Sequence, residues 1–313
     1  MTVFNENRTY GVELECHAPF SFDQMVTVLN NKFTEKGINA TAYTPRHNYS
    51  HDDNRENKWK VVYDGSVDGH NGNRYGMEIV SPILNGENGF EQIKAVCETL
   101  TEQGCSVSRQ TGMHVHHDKS DLSPKQIGQV FGTYAAFQTL LGYSVSPSRR
   151  AAYYSRPVPV SVTDNGNDKW DDVTTDSQMF SKLSRTIGDR YSSVNWDSFR
   201  TGSRQYHGTI EFRQHQGTLN ANKVITWVLV TQAIIENAVQ FKSRFPKSTG
   251  TGRMEPFKKG EYTRFKTFLR INPSYNNGNP NEHYVWAFKQ FRKNVKKFLN
   301  GSRGELLGGT SIL

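Results

Sequence analysis

Only three cysteines, Cys16, Cys97 and Cys105, occur in 313 residues, an odd number without a CxxC spacing. That scarcity argues against a disulfide framework and against a cysteine zinc site, and it predicts a reducing, cytoplasmic setting. Long apolar runs are also missing. The longest, VITWVLVTQAIIENAV from Val224, is interrupted by Thr, Gln, Glu and Asn. It falls short of the roughly 20 apolar residues that a membrane span needs and predicts a buried helix. The chain does not open on a basic stretch followed by an apolar one, so export is not expected. There is no GxxxxGK followed by Ser or Thr and no GxGxxG leading into a helix, so neither a P-loop nor a dinucleotide-binding fold is predicted. An internal repeat is lacking too, which sets aside solenoids and propellers.

What is present describes a foldable but polar chain. Aromatic residues at 12% and charged residues at 22% are incompatible with a disordered composition. The length suits one large domain or two modest ones. The formal charge of +8 is unevenly placed: residues 241–300 carry 14 Lys and Arg against 3 Asp and Glu, so the first 240 residues are net acidic. Strands are predicted at Tyr10–Cys16, Lys58–Asp64, Tyr75–Val80, Cys105–Arg109, Met113–Asp118 and Gly208–His215. Helices are predicted at about Asn88–Gln103, after the Ser123-Pro124 cap, at Asn220–Lys242 and at Glu282–Leu299. Strands separated only by turns, without regular βαβ spacing, predict an α+β fold with a largely antiparallel sheet and flanking helices. Arg46–Asn57 and Ser161–Asp176 read as loops of a length often found in lids. The stripe Tyr284, Phe288, Phe291, Val295 and Phe298 predicts a docked last helix, and Cys16 and Cys97 fall on apolar faces as core residues.

The strands carry the chemistry. In GVELE, Val12 and Leu14 oppose Glu13 and Glu15; in GMHVHHD, Met113 and Val115 oppose His114 and His116; in TIEFRQH, Ile210 and Phe212 oppose Glu211, Arg213 and His215. Glu78 lies opposite Met77 and Ile79, and Asp64 ends the apolar run WKVVYD. Any one of these is compatible with a solvated sheet face, and an HxH pair is compatible with hydrogen-bonded surface histidines. Five carboxylates with two histidines and one arginine are a different composition from such a face, because gathered carboxylates repel one another unless a cation intervenes. Oxygen ligands suit Mg2+, and histidine among them widens the choice to Mn2+ or Zn2+. If a nucleotide binds, arginines must hold its phosphates, and Arg149, Arg150, Arg156 and Arg190 are the candidates.

The order RTYGVELE, DGS, EIVSP, TGMHVHH, SRR, RYSSVN and GTIEFRQHQGTLN resembles the amidoligase family of carboxylate-amine ligases, itself similar to glutamine synthetase and glutamate–cysteine ligase, over about Arg8 to Gln240. The resemblance implies a glutamine-synthetase-like catalytic fold in residues 1–242; the positive charge and the apolar stripe of the last helix predict that residues 243–313 are a basic, mainly helical extension packed on it. The resemblance further implies Glu13, Glu15, Asp64, Glu78, His114 and Glu211 as metal ligands, and His116 as a contact to ATP phosphate. Arg213 would act on the transferring phosphoryl group, and Arg149 and Arg156 would grip phosphate or substrate. Asn195 belongs to the pattern and goes with the cofactor-binding set, without an assigned role. The implied reaction joins a carboxylate of an amino acid or peptide to an amine through an acyl-phosphate, with ATP and Mg2+ or Mn2+ as cofactors. No membrane partner is expected, nucleic acid is at most a non-specific partner, and the oligomeric state stays open. The amine is also open, because no ammonia-site signature occurs and the basic tail has no counterpart in the pattern. The general base is open, with the Asp52-Asp53 loop one place for it. Two rivals remain at this level: a metal-dependent hydrolase using the HxH and the acids, and a nucleic-acid binder acting through the basic C-terminus.

Overall fold

Strand β1 (Tyr10–Ala18) sends Val12, Leu14 and Cys16 into the core, each at most 1% exposed, as the period-2 pattern of YGVELECHA requires. The computed structural model describes residues 2–45, 57–67, 75–150, 152–162, 168–204, 206–241, 258–271 and 282–300. The chain divides into two compact units. One comprises Glu6–His116 and His215–Val228, here the N-terminal unit; the other comprises Met1–Asn5, His117–Gln214 and Leu229–Leu313, the C-terminal unit.

In the N-terminal unit β1 is followed by α1 (Phe22–Glu35), β2 (Thr41–Tyr43), β3 (Lys58–Tyr63), β4 (Tyr75–Val80), α2 (Gly86–Glu102) and the start of β5 (Gly112–Asp118). The strand order is β2-β3-β4-β1-β5. β1 with β4 and β3 with β4 run antiparallel, while β2 runs parallel to β3. Met25, Leu29 and Phe33 of α1 and Ile93, Val96 and Leu100 of α2 are buried with Met77, Ile79, Met113 and Val115 of the strands. Each such side chain contributes about 1.5–3 kcal/mol of burial. Cys16, Cys97 and Cys105 are buried in the core and not joined in disulfides.

The C-terminal unit is built around α3 (Pro124–Tyr143), which packs against α5 (Asp176–Ile187), α7 (Glu261–Phe268) and α8 (Glu282–Asn300). Its strands β6 (Val194–Asn195) and β7 (Thr209–Gln216, through Gln214) pair antiparallel. The short helix α4 is Asp168–Asp171, and α6 (Ala221–Gln240) belongs to this unit from Leu229 onward. The α+β class with largely antiparallel pairing is therefore borne out. Among the described residues no helix is long and apolar enough to cross a membrane.

Three expectations change. The strand expected at Cys105–Arg109 is a single bridge, His17 with Ser106. Beyond it Thr111 Oγ1 donates to the Ser108 carbonyl at 2.9 Å and accepts from the Ser108 amide at 3.0 Å, so a side-chain turn displaces the ladder. The Ser161–Asp176 loop is anchored in its described part: Trp170 is 1% exposed, and a Cβ on Gly128 of α3 would overlap its indole. The stretch expected as a loop therefore carries the short helix α4 (Asp168–Asp171) and a core side chain. Finally, α1 and α5 form where no helix was expected, each opened by a capping box, Ser21 with Gln24 and Thr175 with Gln178. Residues 46–56, with the expected loop and Asp52-Asp53, lie outside the described residues.

Candidate active site

The N-terminal unit collects six of the candidate residues. Pairing of β1 with β4 places Glu15 directly opposite Glu78, and Val62 of β3 faces Glu78 from the other side. Like charges opposite each other across strands are destabilising. Contrary to a solvated face, Glu15 is 5% exposed and His114 5%. His114 stands between two carboxylates: Nδ1 is 2.9 Å from Glu13 Oε2, and Nε2 is 3.6 Å from Glu15 Oε1. His116 Nε2 lies 3.2 Å from Glu13 Oε1, and the Gly112 amide donates to Glu15 Oε2 at 2.6 Å. Asp64, at the end of β3, accepts from the Ser66 amide at 2.8 Å and so begins a short 3-10 turn.

These contacts set the charges. Burial and the neighbouring charges of Glu13, Glu15 and Asp64 push the Glu78 carboxyl well above the usual range. Burial pushes Glu13 the same way, but the charge of His116 and the hydrogen bonds from both histidines outweigh it and hold Glu13 well below that range. One oxygen each of Glu15 and Glu78 and one nitrogen of His114 lie within 4.8 Å of one another. Two carboxylates and an imidazole at that spacing, with excess negative charge, fit a divalent cation. A His114 bound through Nε2 would have its Nδ1–H held by Glu13, the usual carboxylate brace of a ligating histidine.

The C-terminal unit holds the rest. Register places Asn195 of β6 opposite Glu211 of β7, and Asn195 Nδ2 donates to Glu211 Oε2 at 2.6 Å. The other Glu211 oxygen is ion-paired with Arg213 Nη1. Asn195 thus has a visible task, orienting Glu211, that spacing alone did not reveal. Segments 149–156 and 191–195 are fastened beside this strand. Ser193 accepts from the Arg213 amide at 2.9 Å, Arg156 N donates to Tyr191 O at 2.8 Å, and Ser193 N donates to Arg156 O at 2.7 Å.

The arginines differ in what they do there. Arg149 spends Nη2 on the Arg213 carbonyl at 2.8 Å and Nε on the Gln214 carbonyl at 3.4 Å, so it braces β7. Arg150 donates to Gly142 O at 3.2 Å and lies over Tyr143, 4.2 Å from the ring centroid. Arg156 is ion-paired with Asp189, and Arg190 lies 5.1 Å over Tyr191. Half-exposed guanidiniums at 156 and 190 fit an anionic ligand such as a phosphate.

Residues 6–235 match the model of a family described as "Putative amidoligase enzyme". No curated protein matches the chain. Among solved structures, a GmaS/ADP complex is similar at 10% identity and TM-score 0.47, covering 96% of this chain and 71% of that one. A bifunctional glutathione synthetase from Pasteurella multocida is similar at 11% identity and TM-score 0.46, covering 94% and 47%. The complex of the prokaryotic ubiquitin-like protein Pup with its ligase PafA is similar at 8% identity and TM-score 0.43, covering 95% and 65%. The chain therefore spans less than two thirds of two of these three structures.

Proposed function

This chain belongs to the amidoligase family, and from that membership we propose that it is an ATP-dependent ligase joining a carboxylate to an amine. The observation that carries the reading is the acid cluster of β1, β4 and β5, with Glu78 opposite Glu15 and His114 beside them. On this reading Glu15, Glu78 and His114 would hold a divalent cation, Mg2+ or Mn2+, with Glu13 bracing His114 and Asp64 adding negative charge. ATP, when bound, would supply the phosphoryl group that turns a carboxylate oxygen into a phosphate leaving group, which the amine displaces from the acyl carbon, and the metal would offset charge on the phosphates.

The chain's own side chains do the rest. Arg213 offers a planar guanidinium to the charge that spreads over the phosphoryl oxygens, and Glu211 and Asn195 hold it in orientation. His116 and Arg156 contact phosphate, Arg190 receives an anion, and Arg149 and Arg150 position the segment from which those groups project. Residues 1–242 carry the reaction. The substrates are an amino acid or peptide carboxylate and an amine. The decisive experiment is phosphate release from ATP with Mg2+ or Mn2+, screened against amino acids, peptides and amines, with mass spectrometry of the products. ATP-dependent formation of an amide is expected. Turnover of an amide or ester without ATP would replace this reading with a metal hydrolase.

A further inference from the structure

The same C-terminal unit exposes a group of rings that the proposed reaction leaves unused. Tyr153 is 64% and Tyr154 49% exposed, adjacent in sequence at the surface. They are not isolated: Tyr153 and Tyr154 meet edge-on at 5.1 Å between centroids, Tyr154 and Tyr191 edge-on at 5.3 Å, and Tyr153 and Tyr191 tilted at 5.7 Å. Three rings locked against one another form a pre-ordered aromatic surface, so a ligand that stacks on it meets little ordering cost. Exposed apolar patches of this kind mark contact sites. Two guanidiniums border it, Arg156 at 5.7 Å over Tyr153 and Arg190 over Tyr191 with Nη2 3.4 Å from the Tyr191 oxygen. Arg156 carries one half-exposed ion pair, with Asp189, whereas Arg190 has no hydrogen-bonded carboxylate among the described residues. The rim is thus suited to a ligand that is both flat and anionic.

Position decides between the two ligands of that description. Arg213 Nε donates to the carbonyl of Tyr154 itself at 3.3 Å. On the ligase reading, on which this inference rests, Arg213 serves the phosphoryl group in transfer. The group next to that phosphoryl is the acceptor carboxylate. The purine of ATP is separated from it by the ribose and two phosphates, too far for rings one side chain away from Arg213. We propose that Tyr153, Tyr154 and Tyr191 form the recognition surface for the carboxylate substrate, and that this substrate carries an aromatic ring within a few bonds of its reacting carboxylate.

The test compares N-acetyl-L-phenylalanine with N-acetyl-L-alanine, titrated by NMR into the full chain without nucleotide. The phenylalanine probe is expected to bind about tenfold tighter or more, a preference abolished in Tyr153→Ala/Tyr154→Ala and kept in Tyr153→Phe/Tyr154→Phe, which preserves the rings. Unaltered Mg-ADP affinity in both variants accompanies this result and certifies their folding. The proposal is overturned by equal binding of the two probes to the native chain, or by a preference that survives loss of the rings. It is also overturned if the alanine variant loses its preference for Mg-ADP over Mg-tripolyphosphate, which would put the base on the rings. A chain that neither binds Mg-ADP nor hydrolyses ATP would end the ligase reading, while the two-probe comparison would still judge the aromatic surface.

Discussion

Glu78 and Glu211 are both strand carboxylates turned away from an apolar face, yet they are balanced in opposite ways. Glu78 in the N-terminal unit has Glu15 directly across the ladder and Glu13 and Asp64 nearby. Glu211 in the C-terminal unit has a guanidinium on one oxygen and an amide on the other. The first environment stores repulsion that a cation would relieve; the second is already satisfied by the chain. Two acids with the same strand periodicity therefore carry different consequences for stability and for ligand binding.

The sharpest way to break that contrast is to remove the charges while keeping the shapes. Glu15→Gln or Glu78→Gln deletes a proposed ligand, and since losing only an outer partner of a ligand costs about 10–100-fold in metal affinity, losing the ligand itself should cost about a hundredfold or more. Calorimetric titration with Mn2+ measures this. The metal-free unfolding midpoint should hold or rise, because repulsion is relieved. Glu211→Gln should instead lower stability by about 1–3 kcal/mol, because it weakens the partner of Arg213, whose side chain is 17% exposed. Identical behaviour of the three variants, in metal affinity and in midpoint, would erase the distinction.

Next in size is Arg213→Lys, which keeps a charge but loses the planar fork toward both Glu211 and a phosphoryl group. Turnover should fall about a hundredfold, with the affinity for Mg-ADP changed much less. Normal turnover at saturating substrate would remove Arg213 from the reaction.

How much of this was legible depended on whether the signal was local. The alternation in GVELE and TIEFRQH is local, and it located Glu13, Glu15, Glu211 and Arg213 on strands with the opposite face buried. Ser123 followed by Gln126 with Pro124 at the first helical position was legible for the same reason, and the equivalent boxes at Ser21 and Thr175 carry the same signal. What could not be read was anything set by register between distant segments. The opposition of Glu15 and Glu78, the pairing of Asn195 with Glu211, and the seating of Trp170 against Gly128 all depend on long-range packing. Local polarity did not reveal that last contact, because it depends on a glycine of another helix.

A smaller effect separates Glu78 from Glu13 by pH. With its carboxyl raised above the ordinary value of 4.5, folded Glu78 keeps a proton that the unfolded chain releases, so its contribution declines as pH rises from about that value through the raised one. Glu13, lowered below 4.5, contributes above that value and loses its contribution as pH falls through the lowered one. One proton can tilt stability by at most about 1.4 kcal/mol per pH unit. Urea unfolding in a chelator from acid to neutral pH should show a decline above the ordinary range in the native protein, and Glu78→Gln should flatten it relative to the histidine background. An unchanged slope in Glu78→Gln would mean that its neighbours do not hold the proton there.

The smallest effect is expected farthest from these strands, on α8. From residue 283 onward its exposed positions are Lys289, Arg292, Lys293, Lys296 and Lys297, while Tyr284, Phe288, Phe291, Val295 and Leu299 are buried. The buried stripe is anchored independently of the charges: Phe265 of α7 meets Phe288 at 5.7 Å and Phe137 of α3 at 4.9 Å, and Tyr262 Oη donates to the Phe288 carbonyl at 2.7 Å. Lys293→Glu, Lys296→Glu and Lys297→Glu together therefore leave the packing in place, and the unfolding free energy should move by no more than about 0.5 kcal/mol per site. ATP turnover at physiological salt should persist. Any binding of duplex DNA should be weak and lost with salt, and each lysine removed that had met a phosphate should reduce the slope of log affinity against log salt by about 0.9. An exposed face made only of cations offers charge without the buried aromatic or apolar anchors that give an interface selectivity. Tight, sequence-selective binding that survives high salt and vanishes in the triple variant would contradict that reasoning and give this helix a nucleic-acid function of its own.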